Sequence, residues 1–314
     1  MNWPKAFKKG GVDIMVERII LRKVKNSQEL VLDMVSTPDY VLKSVDWGTI
    51  QSSHHTYKYV NQVGVTISGT SLETRPITIE GWVVAQTDTL MTSLKRKLNG
   101  FVNPQDAIDL IYNDYVIRFI PDETVKYANT REENNDAFCK FIITGTAPNP
   151  LFSNVSEAKV VFAATAPKFH FPLVMSESLP EKGMIFGSRT DSVMGNILNN
   201  GSVAVGMKIV FKAKGTVVNP RLINVNTQER FTINKTLVAE EEVEVNTNIG
   251  EKSVKGKVGS EKQTNYYMHK DIDSSWLQLD VGDNLFRYDA DDGIDNLEVF
   301  VYFFNRFLEV QECY

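Results

Sequence analysis

Apolar and polar positions alternate with period two along much of this chain. Val63, Val65 and Ile67 alternate with Gly64, Thr66 and Ser68, the pattern of a strand with one buried face. Ile77-Thr78-Ile79-Glu80-Gly81-Trp82-Val83-Val84 repeats it. Ile108–Tyr112 and Tyr115–Ile120 flank Asn113-Asp114, a two-residue link that tolerates positive φ and predicts a tight hairpin. Phe138–Thr144 reads as a further strand carrying Cys139.

One segment breaks the alternation. Leu90, Leu94 and Leu98 recur every fourth residue with Met91 beside them, the apolar stripe of an amphipathic helix. Thr87 or Asp88 can cap its start. Lys95, Arg96 and Lys97 suit its last turns, and Asn99-Gly100 supplies the stop. The stripe is expected to bury itself against the neighbouring sheet.

Thr146-Ala147-Pro148-Asn149-Pro150-Leu151-Phe152-Ser153 ends this first strand-rich region, because two prolines cannot continue a ladder. Domains are therefore expected at residues 1–152 and 153–314. An irregular stretch covers Ala163 to about Asn200. Short strands follow at Met207–Phe211, Leu222–Val225, Arg230–Ile233, Glu242–Val245, Trp276–Leu279, Leu285–Tyr288 and Leu297–Phe304. Regular spacing by Gly, Asn and Asp turns argues for an antiparallel sandwich. Phe300, Tyr302 and Phe304 share one face of the last strand and Val301 and Phe303 the other, so it reads as central or as covered by a partner.

A length of 314 residues fits about two domains. A hydrophobic fraction of 42 % with 23 % charged residues is ordinary for a globular chain and excludes general disorder. No run of eighteen apolar residues suggests a membrane span. Net charge is −5, which argues against a broad nucleic-acid grip. Residues 1–25 run the other way, with seven Lys or Arg against Asp13 and Glu17. That arm is either solvated or touches an acidic partner. Cys139 and Cys313 are isolated and fit reduced thiols made in a cytoplasm. The start Met1-Asn2-Trp3-Pro4-Lys5 lacks the apolar run of a secretory signal.

Candidate chemistry is sparse. His54, His55, His170 and His269 lack partners at zinc-ligand spacing. There is no G-x-S-x-G elbow and no Walker loop; Gly256-Lys257-Val258-Gly259 reads as a turn. Asp289-Ala290-Asp291-Asp292-Gly293-Ile294-Asp295 places glycine at position 5 and Phe300 at position 12 of an EF-hand register, so it fails as a calcium loop. It reads instead as an acidic hairpin turn between Leu285–Tyr288 and Leu297–Phe304. Glu242 and Glu244 share a strand face opposite Val243 and Val245, as on a solvated outer surface. Tyr57-Lys58-Tyr59 is too short to mark a nucleic-acid site. No catalytic, cofactor-binding or metal-binding residue is assigned.

The order of several short motifs resembles the distal tail proteins of tailed bacteriophages. In the first half these are Arg75-Pro76-Ile77-Thr78-Ile79-Glu80-Gly81, the helix with Leu98-Asn99-Gly100, and Asn149-Pro150-Leu151-Phe152. In the second half they are Phe171-Pro172-Leu173, Phe186-Gly187, Asn200-Gly201, Asn219-Pro220, Asn224-Val225-Asn226-Thr227, Asp273-Ser274-Ser275-Trp276-Leu277 and Gly282-Asp283-Asn284. The resemblance implies a mainly β protein. Its N-terminal domain would be tail-tube-like with one short helix, and its C-terminal domain a galectin-like antiparallel sandwich. It further implies a non-enzymatic virion protein of the tail tip or baseplate, made in the bacterial host cytoplasm. A homohexameric ring would join the tail tube protein to a tail-associated lysin or spike protein, and in many relatives would anchor a receptor-binding protein. No membrane, cofactor or sequence-specific nucleic acid is implied.

Sugar-binding galectins carry a His-x-Asn-x-Arg group that this sequence lacks, and Trp276 reads as core, so the sandwich shape carries over without the sugar site. A competing reading is a carbohydrate-binding adsorption module that attaches to the host cell wall, using Tyr266, Tyr267 and Trp276 as platforms. A third, a wall-degrading enzyme, finds no supporting residues.

Overall fold

The computed structural model describes residues 18–34, 39–135, 137–162, 165–167, 187–189 and 193–310. Most of the basic arm, His170, Cys313 and much of the 163–200 stretch lie outside the described residues. Among the described residues no helix is long and apolar enough to cross a membrane. The chain divides into two compact units. One runs to Val155 and regains the chain at Leu308; the other is Ser156–Phe307.

The first unit is built from β1 (Arg18–Lys23), β2 (Glu29–Asp33), β3 (Tyr40–Asp46), β4 (Ser52–Tyr57), β5 (Thr66–Leu72), β6 (Arg75–Val84), α1 (Asp88–Phe101), β7 (Ile108–Tyr112), β8 (Tyr115–Pro121), β9 (Lys126–Tyr127), β10 (Phe138–Ala147) and β11 (Phe152–Asn154). Strands neighbour in the order β8-β7-β1-β2-β3-β6-β10, and β10 pairs back onto β8 through Gly145↔Pro121 and Thr146↔Ile120. The sheet thus closes into a barrel, which removes its free edges. Alternation is strict where the sequence shows it. Ile77, Ile79 and Val83 of β6 point inward with Cys139, Phe141 and Ile143 of β10. Closure needs small residues. A Cβ on Gly145 would lie 2.8 Å from the Ile120 carbonyl oxygen and 2.4 Å from the Phe119 ring.

The β7–β8 hairpin forms as its Asn-Asp link predicts, with Asn113 at φ 51°. The helix forms too, but its buried face is rotated from the predicted stripe. Thr87 caps it by accepting from the Leu90 amide. Met91, Leu94, Leu98 and Phe101 are buried, while Leu90 is 40 % exposed. The turn that packs is the one that also reaches Phe101, so three-and-four spacing wins over a simple four-residue row. Asn99-Gly100 does not stop the helix, which runs through Phe101. Lys95–Lys97 consequently lie before its last turn, which has no basic residue. The helix is pinned from outside by Tyr40 Oη donating to the Leu94 carbonyl and Lys23 Nζ donating to that of Gly100, each at 2.9 Å.

The second unit has two main antiparallel sheets. One orders Ala158–Phe162, Leu297–Phe303, Lys208–Ala213, Glu241–Asn246, Ser253–Val258 and Thr264–Asn265. The other orders Met194–Asn199, Gly282–Asp289, Arg221–Asn224 and Arg230–Thr232. Their inner faces share one core. Phe211, Val243 and Val299 come from the first sheet, and Ile197, Leu222 and Phe286 from the second. This sandwich agrees with the antiparallel spacing of the sequence.

Two local expectations fail here. Gly256 lies inside the Ser253–Val258 strand, and only Gly259 takes the turn, at φ 53°. A Cβ on Gly256 would meet the Tyr266 ring, so that glycine serves a close approach rather than a bend. The acidic segment 289–295 is not a hairpin either. Gly282–Asp289 and Leu297–Phe303 belong to different sheets, and the segment crosses between them through a short 3₁₀ turn at Ile294–Asn296.

Candidate interaction surfaces

A strongly exposed apolar surface lies on the β4–β5 hairpin. Among the described residues these two strands pair only with each other, with a register shift between His55 and Thr56. Neither face of the hairpin is covered among the described residues, and no residue of either strand is buried. Val63 is 100 % exposed and Val60 92 %, with Tyr59, Val65 and Ile67 more than half exposed. The half-buried strand that the sequence suggests at 63–67 is therefore corrected. Its alternation is present, but among the described residues no core stands behind it, and the strand proper begins only at Thr66.

The hairpin tip is nonetheless ordered by its own polar groups. The Tyr59 amide donates to Gln62 Oε1 at 3.0 Å, and Gln62 Nε2 donates to Thr66 Oγ1 at 2.8 Å. Asn61 and Gly64 take positive φ to make the bend. Tyr57 and Tyr59 meet edge to face at 5.1 Å. A lone two-stranded hairpin is marginal in water. A contiguous apolar patch held out on one marks a contact surface.

A second surface lies on the outer face of the six-stranded sheet. Lys159, Lys208, Lys212, Lys257, Glu242 and Glu244 surround a cleft of about 330 Å³ over Val210, Phe300 and Tyr302. Lys159 Nζ stands 4.8 Å from the Phe300 ring centre, and Lys208 Nζ 4.8 Å from that of Tyr302. Glu242 bridges Lys257 at 3.0 Å and Lys212 at 3.1 Å. Burial alone would push the Glu242 carboxyl up. The hydrogen bonds from Lys257 and Lys212 outweigh it and hold the group below the usual carboxylate range. Glu242 and Glu244 do share the outer face. The strand Leu297–Phe303 is central, with Val299, Val301 and Phe303 inside and Phe300 and Tyr302 half-buried outside.

The other candidates fall into structural places. Arg221 fixes the acidic crossover, reaching Asp291 at 2.6 Å and Asp289 at 2.7 Å. No group of three or more potential ligands could hold a metal among the described residues. His54 and His55 lie exposed on β4, where His54 Nδ1 meets Thr70 Oγ1 at 3.1 Å. Trp276 packs half-buried on Phe231 at 5.3 Å, with Lys252 and Lys270 over its ring. Tyr266 leans on Gly256, and Tyr267 lies 6.1 Å from Trp276. The cleft on the sheet was not read from the sequence. Its residues come from five strands and the loop that carries Gln263, and only the clustered Phe300–Tyr302 hinted at it.

Two family profiles cover separate parts of the chain. The phage tail protein RIFT-related domain matches residues 36–129, and the siphovirus-type tail component C-terminal domain matches residues 200–307. The chain belongs to the phage distal tail protein family. A solved distal tail protein, that of phage SPP1, described as a paradigm of the hub adsorption apparatus in phages infecting Gram-positive hosts, has the same fold. It aligns with a TM-score of 0.63 at 11 % identity, over 92 % of this chain and 99 % of that one. A chain of the phage P2 baseplate, in its activated conformation with Ca, aligns at 10 % identity and a TM-score of 0.49, over 91 % of this chain and 97 % of that one. No curated protein sequence matches.

Proposed function

We propose that this distal tail protein forms a closed ring of six copies at the tail tip. The first unit, expected from the sequence at residues 1–152, makes the ring, and the second, Ser156–Phe307, forms a galectin-like sandwich. The ring joins the tail tube to a lysin or spike below and offers attachment points for receptor-binding proteins. Its role is structural and non-enzymatic.

The observation that carries this reading is the β4–β5 hairpin. It exposes Val60, Val63, Val65 and Ile67, and among the described residues no core of its own copy stands behind them. An apolar element that the described residues of its own chain leave bare offers a surface to another chain. A contact between the hairpin and a different patch on the next copy is heterologous, and it closes into a ring when the rotation allows. The SPP1 protein, described as a hub, lends the reading its setting.

Negative-stain images of the purified full chain test it. Six-fold rings with a central opening are expected at micromolar concentration. Compact single particles that persist when the tail tube protein is added would overturn the ring.

A further inference from the structure

We propose that the cleft on the outer face of the six-stranded sheet is a binding site for a saccharide bearing an acidic group, a carboxylate or a phosphate. The argument rests on which charges in the cleft are already spent. Lys212 and Lys257 are both held by Glu242. Lys208 is shared between the Tyr302 ring and Glu157, whose carboxylate lies 3.4 Å away. Lys159 is different. Its ammonium stands over Phe300 at 4.8 Å and Tyr302 at 5.4 Å, and among the described residues it has no carboxylate within ion-pair distance. Such a cation keeps its hydrogen-bond donors for an incoming anion while the rings hold it in place.

Across the same cleft, Glu244 likewise has no cation within ion-pair distance among the described residues. It offers bare acceptors on the strand that pairs with Lys208–Ala213. One free donor group, one free acceptor group, the amide of Gln263 and an aromatic floor fit a ligand that carries both an acid and many hydroxyls. Sugar hydroxyls donate to Glu244, and ring C–H groups lie against the edges of Phe300 and Tyr302. An acidic peptide fits less well, because its carboxylates meet Glu244 with like charge and it brings few donors to satisfy it. The cleft counts four lysines against two glutamates in a chain whose net charge is −5, so the local field favours an anion. This site is separate from Trp276, whose ring meets Phe231, Tyr267, Lys252 and Lys270, and from Tyr266, whose ring meets His269 and Lys235.

Calorimetry on the full chain at low salt tests the site with four probes. They are a glucuronate-containing hexasaccharide, a phosphodiester-linked hexose oligomer, neutral maltohexaose and hexa-aspartate. The first or the second is expected to bind, which identifies the acid, and maltohexaose at least tenfold more weakly. Lys159→Glu is expected to weaken binding tenfold or more. Tyr302→Leu is expected to weaken it several-fold, and Lys97→Glu, on the helix of the other unit, not at all. Unchanged melting temperatures show that the variants fold, and Lys159→Gln provides a milder second variant. The site is overturned by any of four results. These are no acidic saccharide bound, binding unchanged by Lys159→Glu and Lys159→Gln, maltohexaose bound as tightly, or hexa-aspartate bound in preference. The same samples imaged for rings keep this outcome distinct from that of the ring.

Discussion

Glu241 is fully buried, and its carboxylate accepts from Lys235 Nζ at 2.6 Å and from the Val238 amide at 3.0 Å. Burial by itself would raise the Glu241 carboxyl. The partners outweigh that and hold it below its ordinary value of 4.5. A carboxylate depressed in the folded state stabilises the fold above its unfolded pKa, and that stability is lost as pH falls through the folded value. Glu241→Gln is therefore expected to cost about 1–3 kcal/mol at pH 7. The gap to the native protein should narrow below about pH 4. Urea melts at pH 7 and pH 3.5 check this; an equal gap at both would show that the ion pair is not the source.

The rotated helix face makes a contrasting pair of substitutions. Leu98 is fully buried and Leu90 is 40 % exposed. Leu98→Ala is expected to cost about 2–5 kcal/mol, and Leu90→Ala within about 0.5 kcal/mol. Comparable losses in thermal melts would restore the four-residue stripe that the sequence suggests.

Barrel closure hangs on glycine at the β8–β10 seam. Gly145→Val would drive a side chain into Phe119 and the Ile120 carbonyl. The backbone on the far side cannot swing away as a side-chain tip can. A loss of about 1–3 kcal/mol is expected, with faster amide exchange at Thr146 and Ile120. Gly100, which has open space around it, is the control. Gly100→Ala should be neutral or stabilising, since alanine is the better helix former.

What the sequence shows of this fold follows from where local pattern and tertiary packing agree. The strand at Arg75–Val84 and the β7–β8 hairpin are legible because alternation and turn chemistry are sufficient for them. Residues 63–67 mislead for the same reason. Alternation reports that one face wants burial, not that the same chain supplies it. The acidic segment 289–295 misleads because two strands near in sequence need not share a sheet, and Arg221, some seventy positions earlier, anchors it. The sheet-face cleft is invisible to a linear reading, since Lys159, Lys208, Glu244 and Tyr302 meet only after the strands are ordered.

The central claim is that the bare hairpin makes the ring. Native mass measurement of the full chain beside a Val63→Lys/Ile67→Lys variant addresses it most directly. Both positions are exposed, so the variant should melt within a few degrees of the native protein. Six 35.5 kDa subunits should give a species of about 213 kDa for the native chain, and the variant should fall to 35.5 kDa. A native chain that stays at the subunit mass up to millimolar concentration, or a variant that keeps the full ring, would contradict the account.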